Sequence, residues 1–233
     1  MKLCNVCGSE IPDFKKRVRT DSSISKDCPI CDSYDRHRAL IAQYGDVLKK
    51  DGVRVLHIGG YAPVIHHLFT ALESLKDTSY IPIDQKPTTK RTLVLDITRQ
   101  VLQIEPVDYI ICLHVLEHII DEDQAMQNIS KNLKKGGRLI LDVPLKGGKT
   151  DRGYDSDEEN AKFKDVKKDK VKVLGSSQRL SKFGNEGHFR MYGKSDILDF
   201  VNAYGFNAKF VKVKKDDNIG LEKDYQFIEG EKL

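Results

Sequence analysis

Hydrophobic residues recur along the chain with two different periods. Between residues 34 and 50 they return every three or four positions, which predicts a helix that begins after Ser33. Two further helical segments are predicted at 62–75 and 121–133. Short apolar runs between these segments predict buried strands, at 53–58, 80–83, 92–95, 109–113 and 138–143. Strands that alternate with helices predict an α/β fold, in which helices cover both faces of a doubly wound, mostly parallel sheet.

The alternation stops in the charged segment 146–178, where an acidic half precedes a lysine-rich half. Such a composition predicts a solvated insertion, and a lid over a binding site is one role it could have. Beyond it, we predict a helix over 195–203 and strands at 206–213 and 225–229. The short connection between these two strands predicts an antiparallel hairpin.

The composition limits the classes of function. The chain has 39 basic and 35 acidic residues, a net charge of +4 that is too small to drive strong phosphate binding, so nucleic acid is a possible but not a favoured partner. No apolar stretch approaches the roughly 20 residues that cross a bilayer. Residues 1–10 lack the apolar segment of a secretory signal, so we predict a cytoplasmic protein without membrane association.

Four of the five cysteines form two C-x-x-C pairs, Cys4 with Cys7 and Cys28 with Cys31. Two such turns can close a tetrahedral shell of thiolates around one zinc ion, and the twenty residues between the pairs lie at the edge of the typical spacing. Because a closed shell has no open coordination position, this zinc is predicted to be structural. Cys112 lies in an apolar run and is predicted to be a buried free thiol.

These patterns divide the chain into three regions. We predict a zinc knuckle at 1–32, a linking helix at 33–52 and an α/β domain at 53–233 that carries the insertion. The length suits one such domain with a small appendage.

The turn after the first predicted strand of this domain, at residues 57–61, contains Gly59 and Gly60. Glycines allow a ligand to approach the backbone closely, and the carboxyl edge of an open α/β sheet is where such folds bind ligands. The turn therefore favours a cofactor pocket that is lined by backbone. It contains no acidic residue that could pair with a cationic group of a cofactor.

This order of elements, with Asp84 at the end of the second strand and the run DYIICLHVLEH at 108–118, resembles the class I methyltransferases that bind S-adenosylmethionine. The K-x-G-G turn at 134–137 is similar to one in the same family. The turn at 57–63, HIGGYAP, departs from the commonest family form, which has an acidic residue and G-x-G. A subgroup with an N-terminal four-cysteine knuckle is more similar still. It carries C-P-x-C-x-S-x-x-R-H-R, found here at 28–38, and F-G-x-x-x-H-x-R-x-Y-G, found at 183–193.

The resemblance implies S-adenosylmethionine as the cofactor and assigns roles to several residues. Asp84 would accept hydrogen bonds from the ribose hydroxyls, Asp96 and Ile97 would contact adenine, and the region of His114 would line the methionine end. The candidate cofactor-binding residues are therefore His57, Gly59, Gly60, Tyr61, Asp84, Asp96, Ile97 and His114. Taken singly, Asp84 is also explained as a turn residue and Asp96 as a helix cap.

Three residues are candidates for the acceptor side of the reaction: His118, His188 and Arg190. A histidine could remove a proton from the acceptor, and an arginine could hold a carboxylate or phosphate. An alternative role for His188 and Arg190 is to anchor their loop to acidic residues, and for His118 it is hydrogen bonding within its own loop.

The run His114-Val115-Leu116-Glu117-His118 also fits the H-x-x-E-H motif of inverted zinc peptidases. That chemistry needs both histidines on one face of a continuous helix, whereas His114 directly follows a predicted strand. We therefore do not favour a peptidase.

Three functions remain. The favoured one is an S-adenosylmethionine-dependent methyltransferase whose acceptor is a small molecule or derived from a sugar. The second is an RNA methyltransferase that binds its substrate through the knuckle and the basic run at 15–19. No aromatic stacking platform lies beside that run, so a solvated loop is its simpler explanation. The third is a non-catalytic module of the same fold that binds a cofactor or a partner.

Overall fold

The computed structural model describes residues 1–18, 24–72, 79–99, 104–152 and 188–233. Its N-terminal region contains two short antiparallel hairpins, β1 (Lys2–Leu3) with β2 (Glu10–Ile11) and β3 (Lys15–Val18) with β4 (Ile24–Asp27). The basic run therefore contributes strand β3, not the solvated loop that its composition indicated, because β4 supplies a partner for its backbone. All four residues of β3 are nevertheless exposed.

The remaining elements alternate between strands and helices. The helices are α1 (Asp35–Leu48), α2 (Ala62–Leu72), α3 (Glu122–Lys131) and α4 (Ile197–Asn202). The strands are β5 (Arg54–Ile58), β6 (Ser79–Asp84), β7 (Leu93–Val94), β8 (Val107–Leu113), β9 (Leu133–Asp142), β10 (Leu145–Lys146), β11 (Asp151–Arg152), β12 (Arg190–Gly193), β13 (Phe206–Val213) and β14 (Tyr225–Lys232).

Seven of these strands form the central sheet, in the order β13-β14-β9-β8-β5-β6-β7. The pairs from β9 to β7 are parallel, and β14 runs antiparallel to both β9 and β13. The doubly wound, mostly parallel sheet with a terminal antiparallel hairpin is thus confirmed. A smaller sheet joins β10 and β11 to β12.

Two predicted boundaries differ from the structure. Ser33 does not cap α1, since Tyr34 precedes the helix and the Ser33 hydroxyl lies 3.4 Å from the Cys4 sulfur instead. The K-x-G-G segment is a bulge inside β9, not a turn before it. Val107 on β8 pairs with Leu133 on β9, and Tyr109 pairs with Arg138. Between these two pairs β9 advances five residues while β8 advances two.

Most of the predicted insertion lies outside the described residues. Its first part is ordered into the smaller sheet: Lys146 ends β10, and β11 begins at Asp151. Both strands pair with β12, which follows the insertion in sequence.

Each face of the sheet packs against its own apolar cluster. Along β5 and β8 the side chains alternate, so that Val55 and Ile111 enter one cluster while Leu56 and Ile110 enter the other. Side chains of α3 and α4 cover the second face, where Cys112 is fully buried with a free thiol, as predicted. Side chains of α1, α2 and the cysteine region cover the first face. Among the helices of the described ranges, none has the length and apolar character needed to span a membrane.

Arg38, on α1, joins the cysteine region to the sheet. Its side chain is 0% exposed, and the guanidinium donates at 2.6 Å to each of the carbonyls of Lys26, Ser33 and Ile219. It also stacks over the ring of Phe14 at 4.2 Å. Since Ile219 lies between β13 and β14, a single buried cation connects the cysteine region and α1 to the C-terminal hairpin.

Candidate active site

The carboxyl ends of β5 and β8 meet where the direction of the strand order reverses. From β5 the chain proceeds to β6 and β7 on one side, and then returns to β8 and β9 on the other. Open α/β sheets bind ligands in the crevice outside such a reversal. The loops after β5, β6 and β8 therefore form the candidate site.

The two glycines after β5 allow this loop to pack closely. Gly59 has a φ of 67°, and its N–H donates to the carbonyl of Ile83 at 2.8 Å. A Cβ on Gly59 would lie 2.3 Å from a methyl group of Val115, and one on Gly60 would lie 2.8 Å from the end of Ile65. The glycines thus bring the loops after β5 and β8 into contact at the edge of the sheet.

His57 occupies the position where the family commonly has an acidic residue. It is buried, and its Nδ1 lies 2.5 Å from the hydroxyl of Tyr80 on β6. Burial lowers the pKa of His57 to about 3, so the ring is neutral at physiological pH. His57 therefore contacts Tyr80 within the sheet and supplies no charge to a ligand.

Asp84 ends β6, beside the glycine turn. Its side chain is partly exposed, and its Oδ1 accepts a hydrogen bond from the Lys86 N–H at 3.0 Å. This is the turn contact that the sequence allowed. Because a carboxylate can accept several hydrogen bonds, the contact leaves Asp84 able to bind two hydroxyl groups.

Asp96 and Ile97 lie further along the same edge. The Oδ1 of Asp96 accepts from the Thr98 N–H at 2.9 Å and from its hydroxyl at 2.7 Å, and Oδ2 lies 3.4 Å from Arg99. Asp96 thus forms a local side-chain turn with Thr98, and the residues in which a capped helix could follow lie outside the described ranges. Ile97 is buried, and its carbonyl accepts from the side-chain amide of Asn128 at 2.6 Å.

His114 follows β8 and is held between two carboxylates. Its Nδ1 lies 3.2 Å from Glu117, and its Nε2 lies 3.3 Å from Asp142 at the end of β9. Asp142 also accepts a hydrogen bond from the hydroxyl of Tyr225 at 2.6 Å. Burial alone would lower the pKa of His114, but the bonds and charges of Asp142 and Glu117 outweigh burial and raise it to about 9. His114 is therefore a cation at neutral pH.

The H-x-x-E-H run does not form a continuous α-helix. His114 has a φ of 53°, which is left-handed, and Leu116–His118 form a single turn of 3-10 helix. The two histidines therefore do not share a helix face, and the geometry of an inverted zinc peptidase is missing from this run.

The segment that begins at His188 lies against the same loop. The Phe189 N–H donates to the carbonyl of Glu117 at 2.8 Å. The rings of His118 and His188 meet edge to face, with centroids 4.6 Å apart. The structure thus brings together two histidines that are 70 residues apart in sequence.

Arg190 lies beneath this loop and is only 5% exposed. Its guanidinium donates to the carbonyls of Leu116, Ile119 and Ile120, and its Nε lies 3.3 Å from Glu122. These contacts match the anchoring alternative, since the guanidinium fixes the backbone after β8 and is not presented to a substrate.

Tyr61 connects the glycine turn to the start of α1. Its ring stacks on His37 with centroids 4.7 Å apart, and on Tyr34 at 5.1 Å. Its hydroxyl donates to the carbonyl of Asp32 at 3.1 Å. The loop after β5 is therefore supported by residues that directly follow the second cysteine pair.

The four cysteine sulfurs lie within 4.8 Å of one another. The distance from Cys4 to Cys31 is 3.8 Å and that from Cys7 to Cys28 is 3.9 Å. Zinc–thiolate bonds of about 2.3 Å in a tetrahedron require sulfur–sulfur distances of about 3.8 Å. The cluster therefore fits a zinc ion.

The two cysteine pairs repeat the same turn. In each, the first cysteine donates its N–H to the carbonyl of the serine five residues later, Cys4 to Ser9 at 2.9 Å and Cys28 to Ser33 at 3.0 Å. The residue after each second cysteine is left-handed, with φ of 73° at Gly8 and 55° at Asp32. The similarity between residues 4–9, CNVCGS, and residues 28–33, CPICDS, would have predicted this repeat from the sequence.

Sequence reasoning did not identify Asp142 and Tyr225 as site residues. Asp142 carried a usable signal, because it ends a buried strand as Asp84 does. Tyr225 carried none, since its contact with Asp142 joins positions that are 83 residues apart.

Comparison with solved structures identifies the fold. One match is a Burkholderia thailandensis 1,6-didemethyltoxoflavin-N1-methyltransferase, which was solved with 1,6-didemethyltoxoflavin and S-adenosylhomocysteine. Its TM-score is 0.54 and its sequence identity is 13%, and the match covers 85% of this chain and 78% of that enzyme. A coclaurine N-methyltransferase matches with a TM-score of 0.52 and 14% identity over 76% of this chain, which spans about half (51%) of that enzyme. Both likenesses show the Rossmann-like methyltransferase fold. No curated protein matches the sequence significantly.

The sequence identifies the family. Residues 31–209 match the profile of a methyltransferase domain. The chain belongs to this family and is an S-adenosylmethionine-dependent methyltransferase. The match begins at Cys31, so the first cysteine pair lies outside it.

Proposed function

We propose that this enzyme methylates a small-molecule or sugar-derived acceptor in the crevice outside β5 and β8. The observation that carries the proposal is the convergence of three loops at one edge of the sheet. The glycine turn and Asp84 lie on one side, and the charged group around His114 lies on the other.

The first two loops fit the cofactor. The turn at Gly59 exposes backbone at the sheet edge, and the Asp84 carboxylate has capacity for the ribose hydroxyls. Since Thr98 and Arg99 already engage Asp96, an adenine amine would share that carboxylate with them. His57 is neutral, so it cannot replace the family's acidic residue, and Glu117 and Asp142 supply negative charge nearer to the end of β8.

The chemistry requires alignment more than acid–base catalysis. An acceptor lone pair forms the new bond to the methyl carbon, and the electron pair of the sulfur–carbon bond stays on sulfur, which gives S-adenosylhomocysteine. The acceptor's proton leaves to a nearby base or to water. Because the sulfonium donor is already activated, holding the two reactants in line supplies much of the rate. In this proposal His118 and His188 line the acceptor side, and Arg190 positions them.

We also propose that the four cysteines bind one structural zinc ion and that the chain belongs to the knuckle-bearing subgroup. The sulfur distances and the repeated turn support the first part. The C-P-x-C-x-S-x-x-R-H-R segment supports the second, because each of its basic residues has a distinct contact. Arg38 binds carbonyls, His37 stacks on Tyr61, and Arg36 lies over the ring of Tyr34 at 4.5 Å.

An RNA acceptor is less well supported. Within β3, Arg17 pairs with Asp27 at 2.8 Å and with Asp32 at 3.5 Å, so acidic residues of the knuckle offset part of the basic run. Such pairing reduces the number of phosphates that the strand could neutralise.

The cofactor site is tested by titrating the purified protein with S-adenosylhomocysteine in a calorimeter. We expect the Asp84→Asn variant to bind at least about tenfold more weakly, since a neutral amide with one acceptor oxygen replaces the charged carboxylate that would accept both hydroxyl groups. Asp46→Asn, which changes an exposed carboxylate on α1, is the matched control and should bind as the wild type does. Equal affinity of the Asp84→Asn variant would contradict the assigned cofactor position.

The acceptor class is tested by methyl transfer from labelled S-adenosylmethionine to panels of sugars, other small molecules and total RNA. We expect label in the small-molecule panels. Transfer to RNA that weakens steeply with salt would favour the alternative acceptor.

A further inference from the structure

We propose that Glu117, His118 and His188 bind a divalent metal ion beside the methyl-transfer site, and that this ion holds a hydroxyl group of the acceptor. The proposal rests on the proposed function and narrows it to an oxygen acceptor. Ligand atoms of the three residues lie within 4.8 Å of one another. Within the described ranges, the four cysteines form the one other group of this kind.

The donor set suits a catalytic metal more than a structural one. Two imidazoles and a carboxylate are a ligand set of catalytic zinc sites, which keep a position open for water or substrate. The same donors accept Mn²⁺ and Fe²⁺. The cysteine cluster differs in kind, since its four thiolates would close the shell around zinc.

Glu117 contributes a buried carboxylate to the group. Its side chain is 0% exposed, and neither carboxylate oxygen accepts a hydrogen bond of good geometry. Its ionic contacts are with His114 at 3.2 Å and with His118 at 3.9 Å. The contact with His114 offsets part of the cost of burying this carboxylate, and a bound metal ion would offset more of it.

The surrounding backbone already holds the three residues together. The Phe189 N–H bonds to the carbonyl of Glu117, which fixes His188 next to the 3-10 turn. Arg190 binds three carbonyls of the loop from the other side. Such support is what a metal site requires of its surroundings, because ligands must be oriented before the ion arrives. The side chain of His118 is 42% exposed, so the site is open to a substrate.

The ion would determine which acceptor reacts. A hydroxyl held by such an ion would have a lower pKa than a free one and would release its proton to water more readily. The oxygen lone pair then forms the bond to the methyl carbon, while the sulfur–carbon electron pair remains on sulfur. An acceptor with two neighbouring hydroxyls, such as a sugar or catechol, could occupy two positions on the ion. The expected substrate class is therefore a hydroxylated small molecule.

The test is a titration of the zinc-loaded protein with Mn²⁺, followed by electron paramagnetic resonance of the free ion. Mn²⁺ prefers nitrogen and oxygen donors, so it leaves the thiolate cluster intact. A parallel titration uses Zn²⁺ with a count of bound metal. We expect one additional ion per chain, and at least a tenfold loss of affinity in both His118→Ala and His188→Ala. His66→Ala, at an exposed histidine of α2, is the matched control and should bind as the wild type does.

Both variants must keep the knuckle zinc, the circular dichroism spectrum and the affinity for S-adenosylhomocysteine, which establishes that they are folded. If neither Mn²⁺ nor Zn²⁺ adds an ion to the wild type, or if the ion persists in both variants, the metal site is wrong. That result leaves the proposed function standing as long as S-adenosylhomocysteine binds. A wild-type protein that binds the metal but not S-adenosylhomocysteine would instead overturn the proposed function.

Discussion

Gly59 and His114 both take left-handed backbone conformations at the point where a central strand ends, with φ of 67° and 53°. For His114 this conformation is unusual, and it persists because Glu117 and Asp142 hold the ring while the His114 N–H donates to the Asp142 carbonyl at 2.8 Å. At position 59 the neighbouring Val115 leaves no room for a Cβ, so a glycine is required there. The two conformations together shape the edge of the sheet where the cofactor is proposed to bind.

The Gly59→Ala variant tests this arrangement. The left-handed conformation costs an L-residue about 1–2 kcal/mol, and the new Cβ would overlap Val115. We expect the free energy of unfolding in urea to fall by at least about 1 kcal/mol, with a loss of S-adenosylhomocysteine binding. Gly147→Ala is the control, since Gly147 has no atom within 4 Å of a new Cβ. A Gly59→Ala protein as stable as the control would show that the turn can relax.

Helix α1 connects the cysteine region to the glycine turn through the stack of Tyr34, His37 and Tyr61. Burial, together with the charge of Arg36, lowers the pKa of His37 well below its usual value, so the stacked ring is neutral. The position of α1 therefore determines how the loop after β5 is held.

Replacing Tyr61 tests whether the aromatic stack supports the glycine turn independently of zinc binding. Aromatic pairs contribute about 0.5–1.5 kcal/mol beyond burial, so Tyr61→Leu should weaken S-adenosylhomocysteine binding by about two- to tenfold. Zinc content should not change. Tyr61→Phe keeps the stacked ring and loses only the bond to Asp32, and it should retain most of the affinity. If both variants bind equally weakly, the hydroxyl and not the stack supports the turn.

Across the whole molecule, the cysteine region and the α/β domain share one apolar cluster. Cys4, Val6 and Phe14 pack in the same cluster as Leu40 on α1 and Phe227 on β14. A region of this size has too small a core of its own to be stable without a metal or a larger partner. Loss of zinc should therefore destabilise the α/β domain as well as the cysteine region.

Zinc removal tests this coupling. Treatment with a chelator, or the Cys7→Ser substitution, should lower the urea midpoint and weaken S-adenosylhomocysteine binding at least about fivefold, because α1 and Tyr61 lose their support. Restoring zinc to the chelated protein should restore both properties. Cys112→Ala is the control that alters a thiol outside the cluster, and it should keep its zinc. Unchanged cofactor affinity in the zinc-free protein would mean that the two regions are independent.

The sequence by itself determined the sheet and named candidate residues for the site. Apolar runs and turns predicted the strands, because burial and backbone hydrogen bonding leave short periodic signals. Gly59 was named because its turn follows a strand at the carboxyl edge of the sheet, whereas Asp84 and His114 were named from the resemblance to class I methyltransferases. Their roles toward the cofactor stay predictions.

Only the tertiary structure decided which side chains meet across long sequence distances. Arg190 was named as a catalytic candidate, yet packing places its guanidinium under the loop after β8. The pairing of His118 with His188, and of Asp142 with Tyr225, depends on how separate segments fold onto one sheet edge. A local sequence pattern carries no information about such contacts, because they are fixed by the packing of elements and not by the spacing of residues within one.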